Sequence, residues 1–485
     1  MYRIIISHNY SKQNYYVDNS GIMYKSSTFR YNPAMNPSQD ALENPQKDAS
    51  LSTEPYKGVR DFYPEDMMAE NYIFGIMRKT VEGFGYQEYS ASILEPTELY
   101  KAKSGEEIIN EQTYSFKDRG DREVTLRPEM TPTVTRMVAA RRRELVFPLR
   151  WYSIPNLFRY EKPQRGRLRE HFQLNVDLFG IETIDAEVEM VSIAHEIMKN
   201  FGAPESSHVI RISNRKILNY LFEEIFALKP DAAYKAMKLI DKKDKLSPIE
   251  FKDQAKAIFE EKADLLISFL STKDIREFSA LAADKVSSEV LGVKETAALM
   301  HRLELLGIKN CVFDPTLARG FDYYTGTVFE VYDESPANPR ALFGGGRFDD
   351  LLSVFGSDKV PAVGFGAGDV SIKDFLETYG LLPGYTSKTH VMICTIGQNT
   401  ASFSDIFAQN LRKEGLNVAV DPSGKKIGQQ IENASRRSIP YIIVLGEDEA
   451  RTHEFKVREL ATGTEEAFAS EADIAKFIKH KLGAS

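Results

Sequence analysis

Four short runs carry the residue types that do chemistry. Between Phe158 and Gln173 lie five cations (Arg159, Lys162, Arg165, Arg167, Arg169) and two acids (Glu161, Glu170), a local charge of +3. Arginine suits phosphate because its planar fork donates two parallel hydrogen bonds at fixed charge. Gly166 lets the backbone bend there or approach a ligand closely. This run is either a phosphate grip or a solvated hairpin tip. A second run, from Leu317 to Gly326, joins Arg319, Asp322, Tyr323 and Tyr324 to Gly320 and Gly326. It reads as a charge clamp beside aromatic walls for a small polar ligand, or as a tight turn with surface tyrosines. A third places Glu129 near Thr131, where a carboxylate and a hydroxyl could bind an amine. Equally, Thr131 and Pro132 read as the cap and first residue of a helix. In the fourth, Gly344, Gly345 and Gly346 precede Arg347, Phe348 and Asp349. Three successive glycines imply close approach of the backbone to something.

Other chemistries lack their patterns. The glycine runs are followed by no Gly-Lys-Ser/Thr at phosphate-loop spacing, and Lys426 stands where Ser or Thr would be needed after Ser423 and Gly424. No Gly-x-Ser-x-Gly elbow occurs. Eight scattered histidines and two distant cysteines give no metal-ligand set. Cys311 and Cys394 rule out a disulfide scaffold and read as core filler.

The elements that must hold these runs follow from periodicity. Pro64, Glu65 and Asp66 open a helix whose Ile73, Phe74, Met77 and Val81 recur at helical spacing. Residues 85–96 read as a strand ending at Pro96. Val146–Phe158 and Phe172–Phe179 read as two antiparallel strands joined by the basic loop. An amphipathic helix is expected over 185–201 and a helical insertion over about 215–305. Strands return at 326–332 and near 342–365. After a linker at 381–388, strands at 391–396, 418–420 and 441–445 alternate with helices at 401–414, 425–437 and 471–482. That alternation predicts a compact α/β domain over 388–485.

A length of 485 residues allows about three domains. Residues 1–54 show no sustained period and five charges of each sign, and are expected to be a disordered extension. Apolar runs such as 441–445 are too short to span a membrane. The net charge of −8 argues, taken globally, against a nucleic-acid binder. It averages over faces, however, and the +3 loop and Arg141, Arg142 and Arg143 are locally basic.

Together the four runs resemble the histidyl-tRNA synthetase family of class II aminoacyl-tRNA synthetases, from about Tyr56 to the C-terminus. Arg159 to Pro163, with Gln173 downstream, is similar to class II motif 2. Gly85 to Tyr100, around Pro96, resembles motif 1, and the runs at 317–326 and 344–349 resemble the two histidine-specific motifs. The resemblance implies an α+β fold: an antiparallel six-stranded catalytic sheet over 55–382, the helical insertion and a C-terminal α/β anticodon-binding domain. It implies ATP-dependent ligation of L-histidine to the 3′ end of tRNA-His through a histidyl-adenylate, with Mg²⁺, in a cytoplasmic homodimer paired through motif 1.

Residue by residue, the resemblance has Arg159 and Arg319 act catalytically on the α-phosphate. Glu161 then contacts adenine and Arg167 the distal phosphates. Glu129, Thr131 and Gln173 hold the α-amino group. Asp177 and Tyr324 read the imidazole and Tyr323 walls the pocket. Gln164 and Arg165 meet the tRNA acceptor end, where the family reads a guanosine at position −1.

Three positions depart from the family pattern, one being Asp177, where the family often has Glu. Ser371 stands where motif 3 places an arginine for the ATP γ-phosphate, a role open to Arg347, Arg167 or Mg²⁺. Phe348 replaces the usual tyrosine. The alternative is a catalytically silent paralogue, regulatory or RNA-sensing. Such a regulatory relative lacks the C-terminal domain and degrades the 319–324 run, and this chain retains both.

Overall fold

The computed structural model describes residues 51–101, 112–243, 246–281, 290–317, 323–336, 340–397 and 400–483, together with two short strands near the N-terminus. Residues 1–54 and 55–485 form separate compact units. In the first, β1 (Tyr15–Val17) pairs antiparallel with β2 (Met23–Lys25), a feature the expectation of disorder did not contain. Residues 51–54 lie in no helix or strand, and the rest of that expectation lies outside the described residues.

The second unit is built on a large sheet. In chain order its strands are β3 (Gln87–Glu88), β7 (Leu149–Ser153), β8 (Asn156–Phe158), β9 (Glu170–Phe179), β10 (His208–Asn214), β11 (Cys311–Phe313), β12 (Thr327–Asp333), β13 (Ala341–Arg347) and β14 (Ala362–Gly368). The spatial order is β11-β10-β12-β13-β14-β9-β7-β3, with β8 on β9. The six central strands from β10 to β7 pair antiparallel throughout. The outermost pairs, β10 with β11 and β3 with β7, are parallel.

One face of this sheet is apolar. Helix α1 (Pro64–Gly83) lays Ile73, Met77 and Val81 on it at four-residue spacing, all fully buried. Helix α4 (Asp185–Asn200) adds Val191, Ala194 and Met198, and α11 (Asp369–Thr378) adds Ile372 and Phe375. Leu174, Val176 and Leu178 of β9 meet them from the sheet. Each of these side chains except Ala194 contributes roughly 1.5–3 kcal/mol by leaving water.

The strand expected over 85–96 is two. After β3 the chain leaves the large sheet, and β4 (Leu94–Pro96) joins β5 (Tyr114–Lys117) and β6 (Glu123–Leu126) in a three-stranded sheet. Ser90 and Ser92 interrupt the apolar alternation between them, and the Ser92 hydroxyl accepts the Leu94 amide N–H at 3.2 Å. Short helix α2 (Glu98–Lys101) follows β4. Helix α3 (Thr131–Ala140) begins at Thr131 itself, with Met130 as the capping residue. Thr131 is thus the first helical residue and not the cap.

The insertion is helical as expected. It comprises α5 (Arg215–Tyr220), α6 (Pro230–Asp241), α7 (Pro248–Phe259), α8 (Ala263–Leu270), α9 (Ile275–Leu281) and α10 (Leu291–Leu305). It has its own core of Phe222, Phe226, Phe259, Phe269 and Phe278. Helix α10 is shared: Val293 enters this core, while Leu299 and Leu303 enter that of the sheet.

The C-terminal sheet runs β16 (Val418–Asp421), β15 (Val391–Thr395), β17 (Tyr441–Leu445), β18 (Phe455–Glu459), β19 (Glu465–Phe468). The first two pairings are parallel and the last two antiparallel. Helices α12 (Ala401–Lys413), α13 (Ile427–Arg436), α14 (Glu447–Thr452) and α15 (Glu471–Lys481) complete it. Strands β18 and β19 and helix α14 were not anticipated. Only Phe455 and Val457 alternate there as buried residues, too short a signal to read.

Candidate active site

The other face of the large sheet is polar and paved with glycine. Side chains alternate along a strand, so His171, Gln173, Asn175 and Asp177 of β9 share one face. Across from them, Gly364 pairs with Asp177 and Gly366 with Asn175. A Cβ on Gly364 would lie 2.6 Å from Asp177 Oδ1, and one on Gly366 would overlap the Gln173 amide. On the next strand Gly344 and Gly346 pair with Gly366 and Gly364. A Cβ on Gly346 would meet the Tyr324 ring at 3.1 Å, and one on Gly344 would meet Glu330 at 3.0 Å. At all four positions the space a Cβ would need is already taken by the backbone or side chains of neighbouring residues, which glycine alone allows to come so close.

Around this lane the sequence-predicted residues converge. Glu129 is 2% exposed and accepts the Tyr323 hydroxyl at 3.1 Å. Burial, then the Glu129 charge, holds the Tyr323 phenol far above its ordinary range, and Thr131 hydrogen-bonds it. The Tyr323 and Tyr324 rings lie 5.0 Å apart, and Tyr323 meets Phe348 edge-on at 6.0 Å. Gln173 donates to Asn175 Oδ1 at 2.6 Å. Asp177 is 3% exposed, and burial pushes its carboxyl up to about 7. Its cross-strand partner on β7 is Trp151.

Arg159 leaves the end of β8 and donates through Nε to the Pro128 carbonyl at 2.9 Å, which places it one residue from Glu129. Its backbone N–H pairs with the Arg169 carbonyl at 2.8 Å. Beyond it, Gln164 and Arg167 exchange backbone hydrogen bonds of 3.0 and 2.9 Å around Gly166, whose φ is +75°. Exposed Arg167 reaches Glu161 at 3.5 Å. Gln164 is exposed at the tip. Arg165 is held on α11 by Asp374, at 2.7 Å. Arg319 lies outside the described residues.

The structure removes one expectation. Arg347 is 4% exposed and grips Glu187 of α4 through two bonds of 2.6 Å. It also donates to the Ile181 and Thr183 carbonyls at 3.1 and 3.2 Å. All its donors serve the fold, so it cannot stand in for the missing motif 3 arginine. Ser371 is likewise turned inward, donating to the Leu342 carbonyl at 2.7 Å. Arg60 instead approaches this corner, 2.5 Å from Asp369 and 3.7 Å from Glu70. Two buried carboxylates share it: burial and the Asp369 charge push Glu70 up to about 7.

Three residues escaped the sequence reading. His171 belongs to the same alternation as Gln173 and Asp177, which was a legible signal. Burial, then Arg159 and Arg60, holds its imidazole down to about 3, so it stays neutral. Tyr89 and Arg60 carry no sequence signal, because only the tertiary fold brings them to the sheet. Among the described residues no cluster of three His, Cys, Asp or Glu could hold a metal ion. No helix among them is long and apolar enough to cross a membrane.

Comparison with known proteins gives this geometry a context. Residues 58–369 match the family described as histidyl-tRNA synthetase, and residues 390–481 match an anticodon-binding domain. The chain is 40% identical over 442 residues to a histidine–tRNA ligase of Leptospira biflexa, covering 90% of this chain and 99% of the relative. A histidine–tRNA ligase of Thermoplasma volcanium is 35% identical over 88% of this chain and 99% of its own. The structure of histidyl-tRNA synthetase from Nostoc sp. PCC 7120 superimposes with a TM-score of 0.75 at 23% identity, over 89% of this chain and 100% of that one. At that identity the likeness concerns the fold.

Proposed function

The chain belongs to the histidyl-tRNA synthetase family, and we propose that it ligates L-histidine to tRNA-His at the expense of ATP on the polar face of its large sheet. Its fold is the α+β fold of class II synthetases with an anticodon-binding domain. The observation that carries the assignment of roles is the gathering of Glu129, Tyr323, Tyr324, Gln173 and Asp177 around a glycine lane with Arg159 at its rim.

Buried Glu129, with Thr131 and Gln173, takes the ammonium of histidine. Asp177 and Tyr324 take the ring nitrogens, and Tyr323 closes the side. The substrate carboxylate is left facing Arg159. Its attack on the ATP α-phosphorus forms histidyl-adenylate and expels diphosphate, and charge grows on the equatorial oxygens. A guanidinium already fixed by Pro128 stabilises that charge without reorganising. Arg319 is the second cation in this reading. Glu161 contacts adenine and Arg167 the distal phosphates. In the second step a ribose 3′-hydroxyl of the tRNA attacks the adenylate carbonyl and AMP leaves. Gln164 and Arg165 meet the acceptor end, for which Arg165 must release Asp374. No protein nucleophile is required, so positioning supplies most of the effect.

Mg²⁺ fits this site as a companion of ATP and not as a resident ion. It would be held largely by phosphates and water, and Glu330, buried beside Gly344, is one carboxylate of this face that could meet it. When bound it would neutralise phosphate charge. A cytoplasmic homodimer paired through 85–100 completes the reading; light scattering of the pure protein at two concentrations tests the dimer.

Histidine-dependent ATP–pyrophosphate exchange, followed by charging of tRNA-His transcripts with and without the −1 guanosine, tests the function. Exchange without histidine dependence, or none at saturating ATP, overturns it.

A further inference from the structure

The closed end of the proposed imidazole pocket holds more hydrogen-bonding capacity than Asp177 alone provides. Asp177 Oδ2, the Tyr89 hydroxyl and the Ser153 hydroxyl are all buried, and none completes a hydrogen bond among the described residues. The Tyr89 hydroxyl faces both of the others. Its place is firmly set: the Tyr89 N–H donates to the Tyr152 carbonyl at 2.8 Å, and its ring lies 5.7 Å from that of Trp151. Ser153 pairs with Asn175 and Trp151 with Asp177, so both β7 residues face the same side as the carboxylate. Leaving three buried polar atoms open costs free energy at each, and in a native protein such a set points to a ligand or to a catalytic role.

We propose that Tyr89 is a positioning residue for imidazole recognition: its hydroxyl donates to one oxygen of Asp177 and so turns the other toward a ring nitrogen of histidine, with Ser153 supporting the phenol. This rests on the reading of Asp177 as the group that accepts the imidazole N–H. Among the described residues the titratable group facing Asp177 is the Tyr89 phenol, with Arg127 beyond it; the Tyr86 phenol donates to Glu189 at 2.8 Å and meets Asp177 only through its charge. Burial raises the Asp177 carboxyl, and the Tyr89 hydroxyl opposes that rise by stabilising the ionised form. Without the phenolic donor the carboxylate protonates at a higher pH and loses its ability to accept.

The test compares Tyr89→Phe, Ser153→Ala and Asp177→Asn in the full-length protein by histidine-dependent ATP–pyrophosphate exchange across pH. Tyr89→Phe is expected to raise KM for histidine about tenfold, the size of one lost charge-assisted hydrogen bond. KM for ATP and kcat should stay put, and the acid limb of kcat/KM for histidine should move to higher pH. Ser153→Ala should act in the same direction, less strongly. An unchanged histidine KM and an unmoved acid limb in Tyr89→Phe overturn the proposal, as does an equal rise in KM for ATP. If Asp177→Asn also leaves histidine KM unchanged, the reading of Asp177 fails. If Asp177→Asn raises it and Tyr89→Phe does not, the Tyr89 proposal alone fails.

Discussion

Strand β9 presents two surfaces with opposite rules. Leu174, Val176 and Leu178 point into an apolar core under α1, α4 and α11. Their neighbours His171, Gln173, Asn175 and Asp177 point to the glycine lane. The first set is held by exclusion of water, which is indifferent to chemical detail. The second set is polar and passes from half-buried at His171 and Gln173 to buried at Asn175 and Asp177, a costly state unless something pairs with it. One strand therefore supplies both the stability of the sheet and the proposed recognition surface, and alternation keeps the two tasks from mixing. The two arginines at the rims repeat the lesson. Arg347 is buried in a bidentate pair that locks β13 to α4, whereas among the described residues Arg159 donates only through Nε, to a carbonyl.

Mutations on the two faces should separate activity from stability. Arg159→Ala is expected to lower the adenylation rate about 100- to 1,000-fold, with the melting temperature nearly unchanged; single-turnover rates and a melting curve measure both. Leu174→Ala should do the reverse, costing about 3 kcal/mol in urea unfolding through lost burial and a residual cavity, while the folded fraction keeps its KM values. Asp177→Asn sharpens the contrast further. A carboxyl raised to about 7 in the fold destabilises the native state increasingly as pH climbs from about 4 toward 7. The amide should therefore stabilise the protein at pH 7 to 8 by about 2 kcal/mol, and the gain should vanish below about pH 4, as urea titrations at several pH values would show. Smallest of all, Gly366→Ala should cost about 1 kcal/mol in histidine affinity by pushing the Gln173 amide aside, read as a rise in histidine KM.

The legible parts of the molecule were those written in local pattern. The hairpin around the basic loop, the amphipathic α4 and the α/β alternation after residue 388 follow from period and punctuation. The gathering of Glu129, Gln173, Asp177 and the 323–324 tyrosines was reached through family resemblance, since no local pattern brings residues so distant together. Arg347 looked available because its burial depends on Glu187, 160 residues away. Tyr89 was hidden because a lone tyrosine after a two-residue strand carries no signal until β7 lies beside it. The strand at 85–96 was misjudged because its two halves serve different sheets, and sequence alternation does not name the partner.

The glycine lane has a consequence for how complete this protein is before it meets its substrates. A sheet face normally finishes itself with its own side chains. Here Gly344, Gly346, Gly364 and Gly366 leave the covering to their neighbours, among them the Gln173, Asp177, Tyr324 and Glu330 side chains, groups that substrate would pair with in the proposed function. In that reading substrate supplies the last pairing of this layer, brought from solution and surrendered at every turnover. The melting temperature of such a protein should track the concentrations of its substrates, linking its physical lifetime in the cell to the supply of the amino acid it handles.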